Sequence, residues 1–358
     1  MSDKLKLLTF IKLATWCLQT GAQTYIFRNN YYKHLEGKNK NGQLFNLELK
    51  SSNYQITGYL QNISEKQILL LDGEAKNQNI DVDIVSNGQN VGKAKIVYET
   101  DSTIKLSWFE NKKLLHEISF IENYKTSMAF ENLSIENSKK LLSTKNSPHA
   151  NIAVSILYPS NNKDKIIASK ITKEINGIIF DDKSSENIKL SLHKFTNNYF
   201  NDYIQSNKEI LGNGGSVEFE FMNWERSINT EILYNKNNIL QYAVSDYEFS
   251  GGAHGNYSTL YYIYNLKNGN RVFISDLFLA GYEKYLSRLI HAKLKDKSLY
   301  SDEVPISENF LLLPNGILFS YPPYSIAPYS EGQIEALILY KDIITLIKSP
   351  LISLMIQQ

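Results

Sequence analysis

Ser250-Gly-Gly-Ala-His-Gly-Asn256 is the stretch from which the fold reads outward. Gly251, Gly252 and Gly255 leave the backbone free to take φ > 0 or to pass close against another segment. Apolar and aromatic runs flank it, at 239–249 before and 257–266 after. Two strands joined by a tight corner follow from that pattern. A second signature stands downstream, Tyr321-Pro-Pro-Tyr-Ser-Ile-Ala-Pro-Tyr329. Pro322, Pro323 and Pro328 restrict the backbone and remove their own amide donors. The segment is therefore a stiff extended loop carrying Tyr321, Tyr324 and Tyr329. Rigid tyrosines suit a contact loop, because they offer area at low entropy cost. A proline-shaped edge of the core with packed tyrosines is the alternative.

Around these signatures the chain is mixed. Strands are expected at 217–221, 227–234, 239–249 and 259–265, with 310–313, 317–321 and 334–339 closing the sheet. A helix is expected at 282–294, with Tyr285, Leu286, Leu289 and Ile290 on its apolar side. Upstream, Ile167, Ile171, Ile175 and Ile178 recur at helical spacing, as do Ile188, Leu192, Phe195, Tyr199 and Tyr203. Residues 126–148 are polar and read as a linker, with a short helix around 134–142. Before that, short runs with Gly37, Asn41-Gly42, Gly58, Gly73, Asn87-Gly88 and Gly92 between them predict successive strands over 30–125. The fold class is α+β. An N-terminal antiparallel β meander or barrel precedes an α+β module with two to three helices on an antiparallel sheet. The expected divisions are 1–23, a signal peptide; 24–125, a β-rich domain; 126–148, the linker; 149–215, a small helix-bearing α/β domain; and 216–358, the α+β domain with both signatures.

Composition narrows the function. Of 358 residues, 42% are hydrophobic, enough for packed cores. Lys plus Arg is 38 against 37 acids, so charge gives no reason to expect nucleic acid as a partner. The 24 tyrosines against 3 tryptophans suit strands and wet contact surfaces. At the N-terminus, Lys4 and Lys6 precede an apolar run that Gly21 and Ala22 close, the pattern of an export signal cleaved near Gln23. Lys12 interrupts the run, and an N-terminal amphipathic helix is the alternative. Cleavage would remove Cys17, the one cysteine, so the mature chain would hold no disulfide. No later segment reaches the roughly 18–20 apolar residues of a membrane span.

His254 is the one candidate catalytic residue. A catalytic histidine needs a nucleophile or water to activate and an acid to orient it. Ser250, Asp246 and Glu248 are near in sequence, but Gly-x-Ser-x-Gly is absent. A structural imidazole bonding across the corner fits better, with Ser250, Gly251, Gly252, His254, Gly255 and Asn256 as one structural motif. The six histidines, 34, 116, 149, 193, 254 and 291, are dispersed without metal-ligand spacing, so neither a metal nor another cofactor is expected. Gly212-Asn-Gly-Gly-Ser216 lacks the lysine of a phosphate loop and follows a helix, so it is a helix-stopping turn. Tyr31, Tyr32, Tyr54, Tyr59 and Trp108 either line a barrel mouth for an apolar or glycan ligand or fill a closed barrel.

A family resemblance rests on Tyr247-Glu-Phe-Ser-Gly-Gly-Ala-His-Gly-Asn256, on Tyr264-Asn-Leu-Lys-Asn-Gly-Asn270 leading to Ser275-Asp-Leu-Phe278, and on Ile317-Leu-Phe-Ser-Tyr-Pro-Pro-Tyr-Ser-Ile-Ala-Pro-Tyr329 with Gly332. Over roughly 150–345 the chain resembles a bacterial extracytoplasmic domain of unknown function. That domain occurs in lysozyme-sensing anti-sigma factors (RsiV-type) and beside the catalytic domain of PdaC-type peptidoglycan deacetylases. In the anti-sigma relatives the module binds lysozyme. The resemblance therefore implies Pro323, Tyr324, Pro328 and Tyr329 as binding residues. It implies a c-type lysozyme or peptidoglycan as partner, in the periplasm or outside the cell. The chain departs from both architectures, with no sigma-binding region, membrane helix or deacetylase domain in it. The expected function is an exported, non-catalytic binding protein. The alternative is a wall-modifying hydrolase or deacetylase using His254.

Overall fold

The computed structural model describes residues 30–348 except 77, 78, 87, 145, 161–163 and 213–221. The signal peptide with Cys17, the glycine-rich turn over 213–216 and the strand expected at 217–221 lie outside the described residues.

Strands β1 (Tyr31–Asn39), β2 (Leu44–Ser52), β3 (Gln55–Asn62), β4 (Gln67–Lys76), β5 (Asn79–Ser86), β6 (Gln89–Tyr98), β7 (Thr103–Glu110) and β8 (Lys113–Glu122) form a closed antiparallel barrel. Alternation builds it: on β7, Ile104, Leu106 and Trp108 are buried between less buried Lys105 and Ser107. Closure comes from β1 pairing β8, from Leu35 opposite Glu122 to Asn39 opposite Ile118. The Asn41-Gly42 turn takes the shape its sequence predicts. Gly42 sits at φ 81°, and Asn39 Oδ1 accepts from the amides of Asn41 and Gln43 at 3.0 Å each. Leu35, Leu47, Leu49, Leu60, Leu69, Leu71, Ile84 and Ile96 are wholly enclosed. Burying each contributes roughly 1.5–3 kcal/mol.

The barrel-mouth alternative does not survive. Tyr31 turns inward and accepts from Tyr98 at 2.6 Å. Tyr32 packs into the neighbouring core, Tyr59 donates to Glu231 at 2.6 Å, and Trp108 is buried against His116. Tyr54 stands exposed in the two-residue loop between β2 and β3. A packed eight-stranded barrel has no room for these rings to converge at a mouth.

The polar segment read as a linker is largely β9 (Phe130–Lys140), paired antiparallel with β10 (His149–Pro159) along its whole length. No helix forms at 134–142. β9 is the outer strand of its sheet, and outer strands carry polar and lysine residues, which is why its composition resembles a loop. Helices α1 (Lys165–Phe180) and α2 (Ile188–Gly212) cross over to β11 (Trp224–Lys236), which lies parallel to β10. The boundary drawn at 215/216 thus runs through one sheet. It continues through β12 (Ile239–Phe249), β13 (Asn256–Asn265) and the short β14 (Asn270–Arg271). Ile167, Ile171, Ile175 and Leu192 from the helices pack on Ile152, Val154, Ile156 and Tyr242 of the sheet.

The remaining strands do not close that sheet. β15 (Phe310–Leu313), β16 (Gly316–Tyr321) and β17 (Ile334–Leu339) form a separate three-stranded antiparallel sheet. It packs with α3 (Ile274–Leu277), α4 (Glu283–Lys293) and α5 (Tyr340–Ile343) around Phe278, Leu286, Ile290, Phe310 and Phe319. On α4, Leu286 and Ile290 are buried, but Tyr285, expected on that side, is 49% exposed. Amide side chains join the two sheets where no ladder runs. Gln241 bonds both the amide and the carbonyl of Leu312, at 2.7 and 2.9 Å.

Candidate functional site

The two signatures meet at one corner. Between β12 and β13 the chain turns through 250–255, with Gly251 at φ 98° and Gly252 at φ 93°. Nothing lies within 4 Å of a Cβ placed on Gly252, so there the backbone conformation, not space, demands glycine. At Gly255 a Cβ would lie 2.6 Å from the Tyr247 ring, so a larger residue would have to push that ring aside. The corner thereby settles onto Tyr247 and turns His254 outward.

The proline loop reaches it from the other sheet. Ile326 and Ala327 are buried in that sheet's core and anchor the loop. Pro322 to Ser325 form a turn closed by Ser325 N–H to Pro322 O at 3.1 Å, with Tyr324 at φ 68°. Proline at the second position and a positive φ at the third are the features of a type II turn, where glycine usually takes the third. An L-residue in that region costs roughly 1–2 kcal/mol. Pro323 is buried and Pro328 half-buried, while Tyr324 keeps 53% of its surface exposed.

Contacts across the corner are specific. The rings of His254 and Tyr329 stack at 3.9 Å with planes 16° apart. Tyr329 donates its hydroxyl to Gly255 O at 2.7 Å. His254 Nδ1 lies 3.0 Å from the same carbonyl and must carry the proton there. In the neutral ring Nε2 is then an acceptor, and the Tyr324 hydroxyl stands 3.4 Å from it as donor. Tyr257 meets Tyr329 edge-on at 6.1 Å and 75°. Partial desolvation, then the neighbouring hydroxyls of Tyr257, Tyr324 and Tyr247, raise the Tyr329 pKa. Gly332, at φ 67°, lies where a Cβ would come 2.8 Å from the Tyr257 hydroxyl. Two amides hold the loop's sheet to β13. Gln333 accepts from Thr259 N–H at 2.8 Å, and Asn309 accepts from Tyr261 N–H at 2.6 Å.

The acids near His254 in sequence are not its partners. Arg226 binds both Asp246, at 2.6 Å, and Glu248. Burial raises the Asp246 pKa against the opposing charge of Arg226. Strand alternation sets those carboxylates on the face of β12 opposite Tyr247 and the corner. No hydrogen bond among the described residues joins Ser250 to His254. Among the described residues no group of three His, Cys, Asp or Glu could hold a metal ion, and no helix is long and apolar enough to cross a membrane. The structure thus brings Gly255, His254, Tyr324 and Tyr329 together, and leaves Ser250 and Asn256 on the rim. It adds Tyr247, Tyr257, Asn309 and Gln333. Tyr247 and Tyr257 flank the glycine corner and had a signal in that proximity. Asn309 and Gln333 are single amides without a pattern around them.

Comparison with known proteins finds two family profiles, each over part of the chain. Residues 275–341 match the profile of a family described as a protein of unknown function, DUF3298, and residues 143–257 match one described as deacetylase PdaC. A solved DUF3298 family member from Bacteroides fragilis superposes with a TM-score of 0.59 at 23% identity, covering 65% of this chain and 100% of its own. A DUF3298 family protein from Pseudomonas aeruginosa gives a TM-score of 0.42 at 19% identity, covering 63% of this chain and 96% of its own. The first likeness shows a shared fold. No curated protein matches the chain.

Proposed function

We propose that this chain is an extracytoplasmic binding protein without catalytic function, and that its contact surface is the corner of His254, Tyr257, Tyr324 and Tyr329. One observation carries the reading. Two loops from different sheets converge to hold an exposed tyrosine rigidly, with Tyr324 in a strained backbone conformation at 53% exposure. Strain of this kind clusters where binding occurs. Rigid exposed tyrosine is a common centre of binding energy. The extracytoplasmic setting is supported by the two matched profiles and by the RsiV-type and PdaC-type resemblance. That resemblance supplies the two partners to try, a c-type lysozyme and peptidoglycan. A deacetylase reading draws on the printed name of the profile over 143–257. It would need a carboxylate to orient His254, whose Nδ1 instead faces the carbonyl of Gly255.

The test is retention of the chain on immobilised c-type lysozyme and on insoluble peptidoglycan, with Tyr324→Ala alongside. Binding by the parent chain that Tyr324→Ala loses, at an unchanged melting temperature, supports the surface. Retention that is indifferent to Tyr324 removes it. A folded His254→Ala variant that loses a measurable wall-modifying activity would instead establish the enzyme reading.

A further inference from the structure

We propose that the occupant of this corner is a neutral glycan strand, with a pyranose ring stacked on the face of Tyr324. The inference rests on the reading of the corner as a contact surface and names its ligand class.

The first ground is charge. His254, Asn256, Tyr257, Tyr324, Ser325 and Tyr329 form the surface, and none is a Lys, Arg, Asp or Glu. The neighbouring acids are engaged elsewhere. Glu331 accepts from Ser298 N–H at 3.0 Å and pairs with Lys297 at 3.1 Å, while Glu335 lies 3.4 Å from the Tyr261 hydroxyl. A surface that selects a charged partner carries the opposite charge. This one matches an uncharged ligand.

The second ground is shape. Tyr324 lies 5.3 Å from Tyr329 and 6.5 Å from His254, while His254 and Tyr329 are 3.9 Å apart. Those separations put Tyr324 beside the stacked pair, not on top of it, so the ring stays uncovered. The negative face of an aromatic ring attracts the weakly positive C–H bonds of one pyranose face. A sugar also needs donors and acceptors around that face for its hydroxyls. The rim provides them. The Tyr324 oxygen keeps its lone pairs after donating towards Nε2, and Asn256, whose Oδ1 accepts from Tyr257 N–H at 3.1 Å, carries its amide NH₂ at an exposed position.

The third ground is extent. Tyr300 is 60% exposed, and its amide donates to Ile326 O at 2.9 Å, in the same proline loop. A second tyrosine is therefore tied to the loop that carries the first. The proposal assigns Tyr300 as a second stacking position for a strand of more than one sugar.

The experiment titrates the full chain with tetra-N-acetylchitotetraose by calorimetry and follows the melting temperature of each variant. Saturable binding is expected. Tyr324→Ala should weaken it about tenfold or more, as loss of a central aromatic contact does. Tyr324→Phe, which keeps the stacking face, should stay within about threefold of the parent. Absence of saturable binding at millimolar sugar overturns the proposal, as does equal affinity of the parent and Tyr324→Ala. If the sugar fails while c-type lysozyme binds the parent and not Tyr324→Ala, the surface is a protein contact and only the glycan assignment falls. If neither ligand responds to Tyr324→Ala, both readings fall.

Discussion

At the junction of barrel and sheet, charged groups are enclosed. At the corner, aromatic rings free of carboxylate and lysine face water. Both sites gather residues far apart in sequence, and each is centred on a histidine. His34 on β1 is wholly buried, with Nδ1 2.9 Å from Glu48 of β2 and Nε2 3.5 Å from Glu36. Glu48 also accepts from the Tyr32 hydroxyl at 2.5 Å and from Asn235 N–H of β11 at 3.1 Å. Lys236 of β11 pairs with Glu36 at 3.4 Å. His254, by contrast, has a backbone carbonyl, a tyrosine hydroxyl and a ring face as neighbours. The difference separates two meanings of a histidine with polar neighbours. Enclosed and ion-paired, it locks one part of the chain to another. Exposed and stacked, it adds little to stability and shapes a surface.

The largest expected effect tests the first half of that contrast. Glu48→Ala leaves the buried charge of His34 without its main partner and two further donors unsatisfied. Breaking a buried pair from one side costs about 3–5 kcal/mol. Chemical denaturation should show a loss of that order. A loss below about 1 kcal/mol, the size of a surface pair, would mean the junction is not a lock.

Next comes pH. Burial opposes protonation of His34, but the charge of Glu48 and the bonds to Glu36 and Glu48 outweigh it and raise its pKa to about 9 from 6.5. A raised pKa contributes stability that is fully present below 6.5 and is lost as pH climbs towards 9. Glu36 runs the other way. Its bond to His34, helped by Lys236 and opposed by burial, lowers its pKa from 4.5 to about 2, so its contribution is present above 4.5 and lost as pH falls through 2. Melting temperature should therefore peak between pH 4.5 and 6.5 as far as this cluster decides it. His34→Gln should flatten the alkaline decline. An alkaline limb unaffected by His34→Gln would assign the decline to other groups.

Much of this architecture is written in local pattern. Residue alternation gives the barrel strands, isoleucine spacing gives α1 and α2, and the glycine corner gives β12 and β13. Other parts are not local. β9 looks like a linker because an outer strand leaves one edge unpaired and carries polar and lysine residues there, and its Asn, Ser and Lys residues carry no apolar period. The separate three-stranded sheet is invisible because strand sequences do not name their neighbours. Loops such as Asn53-Tyr54, Asn111-Lys112 and Asn237-Asn238, with both residues at positive φ, lack the glycine that usually marks them. Asparagine tolerates that conformation and opens each one. The corner was half legible. Each signature is visible alone, but the stack of His254 on Tyr329 is a tertiary contact. The junction of His34 with Asn235 and Lys236 had no signal, since buried polar partners look like any surface residues in sequence.

Within the corner, the two tyrosines should differ. Tyr329 is half-buried, bonds Gly255 O and supports His254. Tyr329→Phe should lower the melting temperature slightly, for the lost hydrogen bond to Gly255 O. Tyr329→Ala should lower it further, for the lost ring contact with His254. Thermal denaturation of the two variants separates these contributions, and equal melting of both with the parent would remove Tyr329 from the support of the corner.

The smallest effect is the most informative about the surface. Tyr324→Ala keeps a side chain at φ 68° and removes a ring that is 53% exposed, so its stability should stay within about 0.5 kcal/mol of the parent. Tyr324→Gly removes the same ring and also the steric cost of the left-handed backbone, roughly 1–2 kcal/mol. Against that gain stands the greater freedom of glycine in the unfolded chain, roughly 0.5–1 kcal/mol. The net is a gain between zero and about 1.5 kcal/mol over Tyr324→Ala. The pair is measured by melting temperature under one condition. If Tyr324→Gly melts below Tyr324→Ala, the backbone there is not strained, and the ring would owe its exposure to chance, not to a turn that holds it out. If it melts at or above, the chain bears a local cost to present one tyrosine to solvent. Such a cost is consistent with a residue kept for what it touches.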